Sequence, residues 1–399
     1  MDQCVILVGG KGSRLGEITA KFPKPMLEVN DEPFLFYLIK QAKSFGFKKI
    51  LLLAGHASEQ IENYINNLKL ENISIDIKKE QAPLGTGGAL VNAYNYLDNE
   101  FFLMNGDSII DGNWLSINKF LDDSNDIAIA LVKMKDCRRY GTVSLKDNKV
   151  TDFIEKNNSS DDGLINGGVY FIKKKIFKGL RVENLSFEND ILPFHVKRKK
   201  VAGKEIKGFF IDIGIPESLE QARQIDWKNK KKAVIFDRDG TLNIDDGYTH
   251  KISELRWKDG AIELLKFLND SNILVLVATN QAGIAKGIFR EADMHNFHRE
   301  MQNQLRIKGA HIDSFYFCPY HIDGEVAEYK RNSKDRKPNT GMLEKISHEF
   351  SLQKKNMLMI GDRDTDTQCA NNFMISSILY NGMDNLMTLR DNIKEKLQF

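Results

Sequence analysis

Short apolar runs rich in β-branched and aromatic residues recur along this chain, each separated from the next by a helix-length amphipathic segment, and the pattern starts afresh once. Strand-like runs stand at residues 5–8, 50–53, 73–77, 101–104 and 127–132, and helix-like segments at 34–45, 59–68 and 88–97. A strand followed by a helix before the next strand can pair with it in parallel is the unit of an open, largely parallel α/β sheet. After Trp227, the interval Lys228-Asn229-Lys230-Lys231-Lys232 has nothing to bury. A new strand then opens at Ala233, with further strands at 273–278 and 357–360. A chain of 399 residues exceeds the roughly 250–300 at which a single core stops growing. Two α/β domains are therefore expected, at 1–226 and 233–399, joined by a linker at 227–232.

Composition removes several functional classes. The longest apolar runs are about six residues, against the roughly 20 that cross a bilayer, and the N-terminus lacks the basic start of a secretion signal. A cytoplasmic protein with no membrane partner is expected. The four cysteines lie far apart and form no disulfide framework. With 57 basic and 55 acidic residues the formal charge is +2, which provides no field for nucleic acid.

The first candidate site begins directly after the first strand, at Gly9-Gly10-Lys11-Gly12-Ser13-Arg14-Leu15-Gly16. Its glycines let backbone N–H groups approach a phosphate. By itself the loop is equally a tight turn, because it fits neither the dinucleotide fingerprint nor the P-loop spacing. Further on, two prolines stiffen the backbone around Lys24, a second glycine-rich turn (Glu80-Gln81-Ala82-Pro83-Leu84-Gly85-Thr86-Gly87-Gly88) opens a helix, and Asn105-Gly106-Asp107 ends a strand. Ligands of open α/β sheets collect at the carboxyl ends of strands, so Asp107 is a metal candidate there, or else a helix cap.

These stretches resemble the sugar-nucleotide pyrophosphorylase family. The likeness covers residues 1–226 and extends through Phe153-Ile154-Glu155-Lys156, Leu164-Ile165-Asn166-Gly167-Gly168 and Ile211-Asp212-Ile213-Gly214-Ile215-Pro216. It implies a Rossmann-like, GT-A-like mixed sheet. It also implies that Gly9, Gly10, Gly12, Ser13 and Arg14 hold a nucleoside triphosphate, with Gln81, Gly85 and Thr86 at its base. Lys24 would steady the reacting phosphates and Asp107 with Asp212 would bind Mg²⁺. Glu155, Lys156, Asn166 and the backbone near Gly141 and Gly167 would face a sugar phosphate. The implied reaction needs no protein nucleophile: a sugar 1-phosphate oxygen attacks the α-phosphorus and pyrophosphate leaves. Positioning and charge neutralisation then do the catalysis.

In the second half, Asp237-Arg238-Asp239-Gly240-Thr241, Thr279-Asn280-Gln281 and Gly361-Asp362-Arg363-Asp364-Thr365-Asp366 each end a predicted strand, while Arg336-Lys337-Pro338 supplies cations from a loop. Each member alone is an ordinary cap or turn. The ordered set resembles the haloacid-dehalogenase superfamily of phosphatases, with a doubly wound parallel sheet, over about residues 232–390. That resemblance implies Asp237 as the nucleophile, Asp239 as acid and base, and Mg²⁺ held by Asp237, Asp239 and Asp362. Thr279, Asn280, Arg336 and Lys337 would bind the phosphoryl group. Within the superfamily the likeness is to heptose 1,7-bisphosphate 7-phosphatases and their histidinol-phosphatase relatives. Many of these carry a structural zinc. Here Cys318 and His321 remain, but Ser333 and Asp335 stand where later cysteines would be, so no zinc is expected.

The first half looks most like guanylyltransferases of heptose 1-phosphate, the product of such a phosphatase. A bifunctional enzyme taking heptose phosphates and GTP to GDP-heptose is therefore expected. Mannose 1-phosphate with GTP, a hexosamine 1-phosphate with UTP, or a non-catalytic sensor domain are the alternatives. Oligomeric state and sugar anomer stay open at this stage.

Overall fold

The computed structural model describes residues 2–10, 15–16, 22–55, 57–68, 70, 73–154, 162–225 and 232–399. Chain contacts divide into two compact units, the first comprising 1–43 and 47–225 and the second 44–46 and 226–399.

The first unit's strands are β1 (Gln3–Leu7), the two-residue hairpin β2 (Glu28–Val29) and β3 (Glu32–Pro33), β4 (Lys49–Ala54), β5 (Ser74–Lys79), β6 (Glu100–Asn105), β7 (Ser108–Asp111), β8 (Ile127–Met134), β9 (Thr142–Lys146), β10 (Lys149–Ile154), β11 (Gly163–Lys173), β12 (Val201–Glu205) and β13 (Phe209–Asp212). Among the described residues nine of them form one sheet, in the order β5-β4-β1-β6-β11-β8-β12-β10-β9. The run β5-β4-β1-β6 is parallel throughout. Beyond it the pairing turns mixed, because β11 lies antiparallel to both β6 and β8. The parallel alternation read from the sequence thus covers only half the sheet. Long-range pairing of β11 supplies the rest, which local periodicity does not encode.

Phe171 stands opposite Phe102 in the β11–β6 register. Their rings stack at 4.5 Å and both are buried; burying each contributes about 1.5–3 kcal/mol. That contact fixes the register of β11 and so places a bulge between Asn166 and Val169. The bulge depends on Gly168, whose φ is +74° and whose missing side chain leaves room for Ser108.

The helix expected at 88–97 instead runs over Gly85–Asn92, with a 3-10 turn at Tyr94–Tyr96. The shift has a tertiary cause. Gly87 and Gly88 donate their N–H groups to the Leu185 carbonyl at 2.8 and 3.1 Å, and a Cβ on Gly88 would lie 2.1 Å from the Glu183 carbonyl. These glycines are there to let two backbones touch.

The second unit is a parallel five-stranded sheet among the described residues, built from β14 (Ala233–Phe236), β15 (Leu274–Asn280), β16 (Ser314–Cys318), β17 (Met357–Gly361) and β18 (Ser376–Leu379) in the order β16-β15-β14-β17-β18. Helices such as Ala261–Asp270 and Glu291–Ile307 bury apolar stripes against it. Cores lie on both faces, one through Val234, Phe236 and Val277 and the other through Ile235, Leu276 and Met359. No helix among the described residues is long and apolar enough to cross a membrane.

Gly106 tests how tightly the first unit's central loop is packed. A Cβ there would lie 2.3 Å from the Leu7 carbonyl oxygen and 3.1 Å from Pro25 Cγ. Gly106→Ala should therefore destabilise the chain by about 1–3 kcal/mol, read as a lower urea midpoint. An unchanged midpoint would show that the loop yields freely.

Candidate active sites

In both main sheets the first strand lies inside the sheet, flanked by β4 and β6 around β1 and by β15 and β17 around β14. That is a topological switch point, where a crevice opens at the carboxyl ends. In the first unit it lies between β1 and β6, and in the second between β14 and β17.

The first crevice contains a cavity of 390 Å³ lined by Gly9 and Gly10 after β1, Lys24, Glu80, Gly85 and Asp107 after β6, together with apolar side chains including Leu7 and Leu53. Lys24 opens a 3-10 turn, Lys24–Met26, with Pro25 in its first positions. Its Nζ lies 2.9 Å from Asp107 Oδ2. Asp212 reaches the same place from the end of β13. There β13 pairs with β7, Asp212 opposite Ser108, and Ile213 N–H donates to the Asp107 carbonyl at 2.8 Å. Burial, then the negative charge of Asp107, push the Asp212 carboxyl up, although Gly214 N–H, Arg139 and Lys24 oppose this. Two carboxylates brought to one place, offering only oxygen donors, suit a hard divalent cation.

The base-side residues divide unexpectedly. Gln81 is exposed and is not among the residues lining the cavity, whereas its neighbour Glu80 is. Burial pushes the Glu80 carboxyl up, and Glu80 Oε2 accepts the Leu84 N–H at 3.2 Å. Gly85 has φ +69°, and a Cβ there would lie 2.5 Å from the Leu185 carbonyl. The Thr86 hydroxyl donates to Glu188 at 2.7 Å and accepts the Phe187 N–H at 2.8 Å. Thr86 thus ties the helix start to the 185–188 segment.

On the sugar side, Asn166 donates from its side chain to the Tyr170 hydroxyl at 2.6 Å and from its backbone to the Gly141 carbonyl at 2.9 Å. Gly167 packs where a Cβ would meet Ile110 at 2.5 Å. Gly12, Ser13, Arg14, Glu155 and Lys156 lie outside the described residues.

In the second crevice Asp237 leaves β14 with its N–H on the Ile360 carbonyl at 2.8 Å. Lys337 Nζ sits 2.8 Å from Asp237 Oδ1 and 2.6 Å from Asp366 Oδ1, all nearly inaccessible. Burial raises the Asp237 carboxyl to about 7 against the pull of Lys337. Oxygens of Asp237, Asp362 and Asp366 lie within 4.8 Å of one another, the one such metal-competent cluster among the described residues. Gly240, at φ +82°, makes the approach of Asp362 possible, since a Cβ would lie 2.3 Å from its Oδ2. Thr241 donates its hydroxyl to Asp362 Oδ1 at 2.9 Å. Asp237 and Lys337 line a cavity of 380 Å³ with Asp239, Thr279, Arg336 and Arg363.

Asp239 accepts from four groups: Arg238 through Nε at 2.9 Å and Nη2 at 2.7 Å, Asn243 at 3.1 Å and Gln281 at 2.8 Å. Arg238 is fully buried, stacked over Phe297 at 4.7 Å and 3.1 Å from His298 Nε2. Arginine is always a donor, so that nitrogen accepts and His298 is neutral. Burial first, then the charges of Arg238 and His295, hold it well below the usual imidazole range.

Asn280 lines the same cavity as Thr279 and Lys337, and its amide also engages the chain that carries Lys337. Its Oδ1 accepts the Lys337 N–H at 3.0 Å and its Nδ2 donates to the Lys337 carbonyl at 3.1 Å. It clamps the backbone that carries Lys337. Cys318 is buried with Sγ 3.9 Å from the Tyr320 carbonyl, His321 Nδ1 accepts the Asp323 N–H at 3.0 Å, and Asp335 pairs with Lys345 at 2.7 Å.

Sequence reasoning passed over Glu80, Arg139, Asp366, Arg238 and Gln281. Glu80, Arg238, Gln281 and Asp366 stood inside the motifs named above without a role, which only the fold gave them, and Arg139 lay outside every motif.

Residues 3–229 match the nucleotidyl transferase family, and residues 335–390 match the HAD-hydrolase-like family. The first half is 37% identical over 225 residues to a D-glycero-alpha-D-manno-heptose 1-phosphate guanylyltransferase of Aneurinibacillus thermoaerophilus, covering 56% of this chain and 97% of the relative. The second half is 38% identical over 138 residues to a D-glycero-beta-D-manno-heptose-1,7-bisphosphate 7-phosphatase of Yersinia pestis, covering 35% of this chain and 73% of the relative. It is also 37% identical over 150 residues to the corresponding alpha-anomer phosphatase of Burkholderia mallei, covering 38% and 79%. The crystal structure of HddC from Yersinia pseudotuberculosis complexed with GMP-PN superposes with a TM-score of 0.50 at 33% identity, covering 56% of this chain and 99% of that one.

Two outcomes follow from the second crevice. Asn280→Ala should reduce phosphate release mainly in kcat, because Lys337 loses its backbone clamp while remaining present; an unchanged kcat would remove the clamp's importance. The unfolded chain protonates its imidazole at position 298 below about pH 6.5 whereas the folded chain does not. The stability this neutral imidazole allows is complete above that pH and falls by about 1.4 kcal/mol per pH unit below it. His298→Gln should flatten the wild-type loss of denaturant midpoint between pH 7 and 5.5, and parallel curves would contradict this.

Proposed function

The chain belongs to the nucleotidyl transferase family in its first half and to the HAD-type phosphatases in its second, and we propose that it converts heptose 1,7-bisphosphate and GTP into GDP-heptose in two steps. Residues 1–226 carry the transfer and 233–399 the dephosphorylation, with 227–232 as the linker. One observation carries the reading: the relatives of the second half remove the 7-phosphate from a heptose bisphosphate, and those of the first act on the heptose 1-phosphate that remains. Since the transferase relatives take the alpha anomer, a single route through both halves takes it too. Both steps belong to the cytoplasm, where GTP is made.

In the phosphatase step an Asp237 oxygen attacks the 7-phosphorus and the P–O7 bond breaks. Asp239 gives its proton to the departing O7, then takes one from the water that hydrolyses the aspartyl phosphate, releasing inorganic phosphate. Lys337 and Arg336 offset the charge on the phosphoryl oxygens, and Thr279 orients them. Thr241 and Gly240 hold Asp362 in place beside Asp237. In the transfer step an oxygen of the heptose 1-phosphate attacks the α-phosphorus of GTP and pyrophosphate leaves, with Lys24 steadying the phosphates beside Gly9 and Gly10. Both families use a divalent metal. Mg²⁺ on Asp107 and Asp212, and on Asp237, Asp362 and the Asp239 carbonyl, would neutralise phosphate charge at each site. Glu80 supports guanine as the base: guanine presents N–H donors along one edge, and the Glu80 carboxylate in the cavity wall accepts them.

The test is the purified chain with heptose 1,7-bisphosphate, Mg²⁺ and each nucleoside triphosphate in turn. GDP-heptose with one phosphate and one pyrophosphate per sugar is expected. Asp237→Asn should abolish phosphate release yet still convert supplied heptose 1-phosphate, and Glu80→Gln should lose preference for GTP. Phosphate release with no triphosphate consumed would sink the transferase half of the reading, and no reaction at all would sink both.

A further inference from the structure

The transferase crevice holds a second cation that the steps above leave without a task. Of the two carboxylates there, Asp107 carries Lys24 at 2.9 Å and Asp212 carries Arg139, Nη2 to Oδ1 at 3.2 Å. The two cations come from different segments of the chain. Lys24 lines the nucleotide cavity with Gly9 and Gly10. Arg139 lies in the loop between β8 and β9, two residues before Gly141, whose carbonyl holds Asn166 at the β11 bulge. Its guanidinium lies over the Tyr140 ring at 5.5 Å, and that ring meets Phe210 of β13 edge-on at 5.6 Å. Arg139 is therefore anchored to the strand that carries Asp212. Its side chain remains 40% exposed, and of its five N–H donors it is one on Nη2 that reaches Asp212.

We propose that Arg139 is the residue that binds the phosphate of the incoming sugar 1-phosphate, and that it is parked on Asp212 until a divalent cation takes that carboxylate. This rests on the transferase reading above. The attacking phosphate must approach a triphosphate of like charge, and Lys24 sits on the triphosphate side. A planar guanidinium beside Asp212 matches two phosphate oxygens at once, as an ammonium does not. A divalent ion on Asp107 and Asp212 repels the adjacent guanidinium, so metal arrival frees Arg139 where the sugar phosphate enters. The exchange needs no proton transfer and no bond change.

The full chain is assayed as wild type, Arg139→Gln and Arg139→Lys, with GTP and heptose 1-phosphate varied separately. Arg139→Gln should raise KM for heptose 1-phosphate about 10- to 100-fold, as loss of a charge-assisted pair does. KM for GTP should stay within about twofold, and Arg139→Lys should restore part of the loss. Phosphate release by the second unit serves as the control for intact protein. In chains carrying Asp362→Asn, which disables the phosphatase metal cluster, Arg139→Gln should bind Mn²⁺ severalfold more tightly without nucleotide, measured by electron paramagnetic resonance. An unchanged KM for heptose 1-phosphate, or a rise confined to GTP, overturns the phosphate role. Equal or weaker Mn²⁺ binding overturns the parking. Failure of the wild type to transfer at all would instead bring down the transferase reading, and this proposal with it.

Discussion

Lys337 stands between Asp237 and Asp366, at 2.8 and 2.6 Å, in a place where water hardly reaches any of the three. Without it, buried carboxylates would crowd the ends of β14 and β17 with no counter-charge, at a cost of several kcal/mol per ion. The loop that delivers Lys337 is in turn fixed by both ends of the Asn280 amide. The first unit meets the same difficulty in weaker form. Asp107 and Asp212 are less deeply covered and each has its own cation, from Lys24 and Arg139. Negative charge gathered at strand ends, and the cations that make it tolerable, organise both crevices.

Such close approach depends on glycine. Gly240 leaves room for Asp362, Gly106 lets the β6 turn lie on the Leu7 carbonyl, and Gly88 lets a helix start rest on the Glu183 carbonyl. In each case the nearest atom belongs to another part of the chain. These glycines serve backbone packing, which helps bring the carboxylates and cations within hydrogen-bonding distance of their partners.

Much of the site was legible because chemistry concentrates at the ends of short apolar strands. Asp107 in the first unit, and Asp237, Thr279 and Asp362 in the second, stand at the ends of such runs, beside the switch point of their own sheet. What was not legible depends on contacts between distant segments. Gln81 and Glu80 are neighbours, and no local pattern says which one turns into the cavity. Asn280 follows Thr279 and shares its strand, but its partner lies 57 residues away. Arg238 stands between Asp237 and Asp239 in sequence and is fully buried, because Phe297 and His298 of a later helix provide its seat.

The sequence by itself determined that there are two α/β units and which strand ends carry the carboxylates, because apolar periodicity and the residues that interrupt it are local properties. It also carried the ordered motifs by which each half is recognised. Tertiary structure alone decided the antiparallel insertion of β11, the early start of the helix at Gly85, the pairing of Arg139 with Asp212 and the clamp of Asn280 on Lys337. Each of these is a contact between residues far apart in the chain, and its free energy comes from packing and charge pairing that exist only once the sheets have closed.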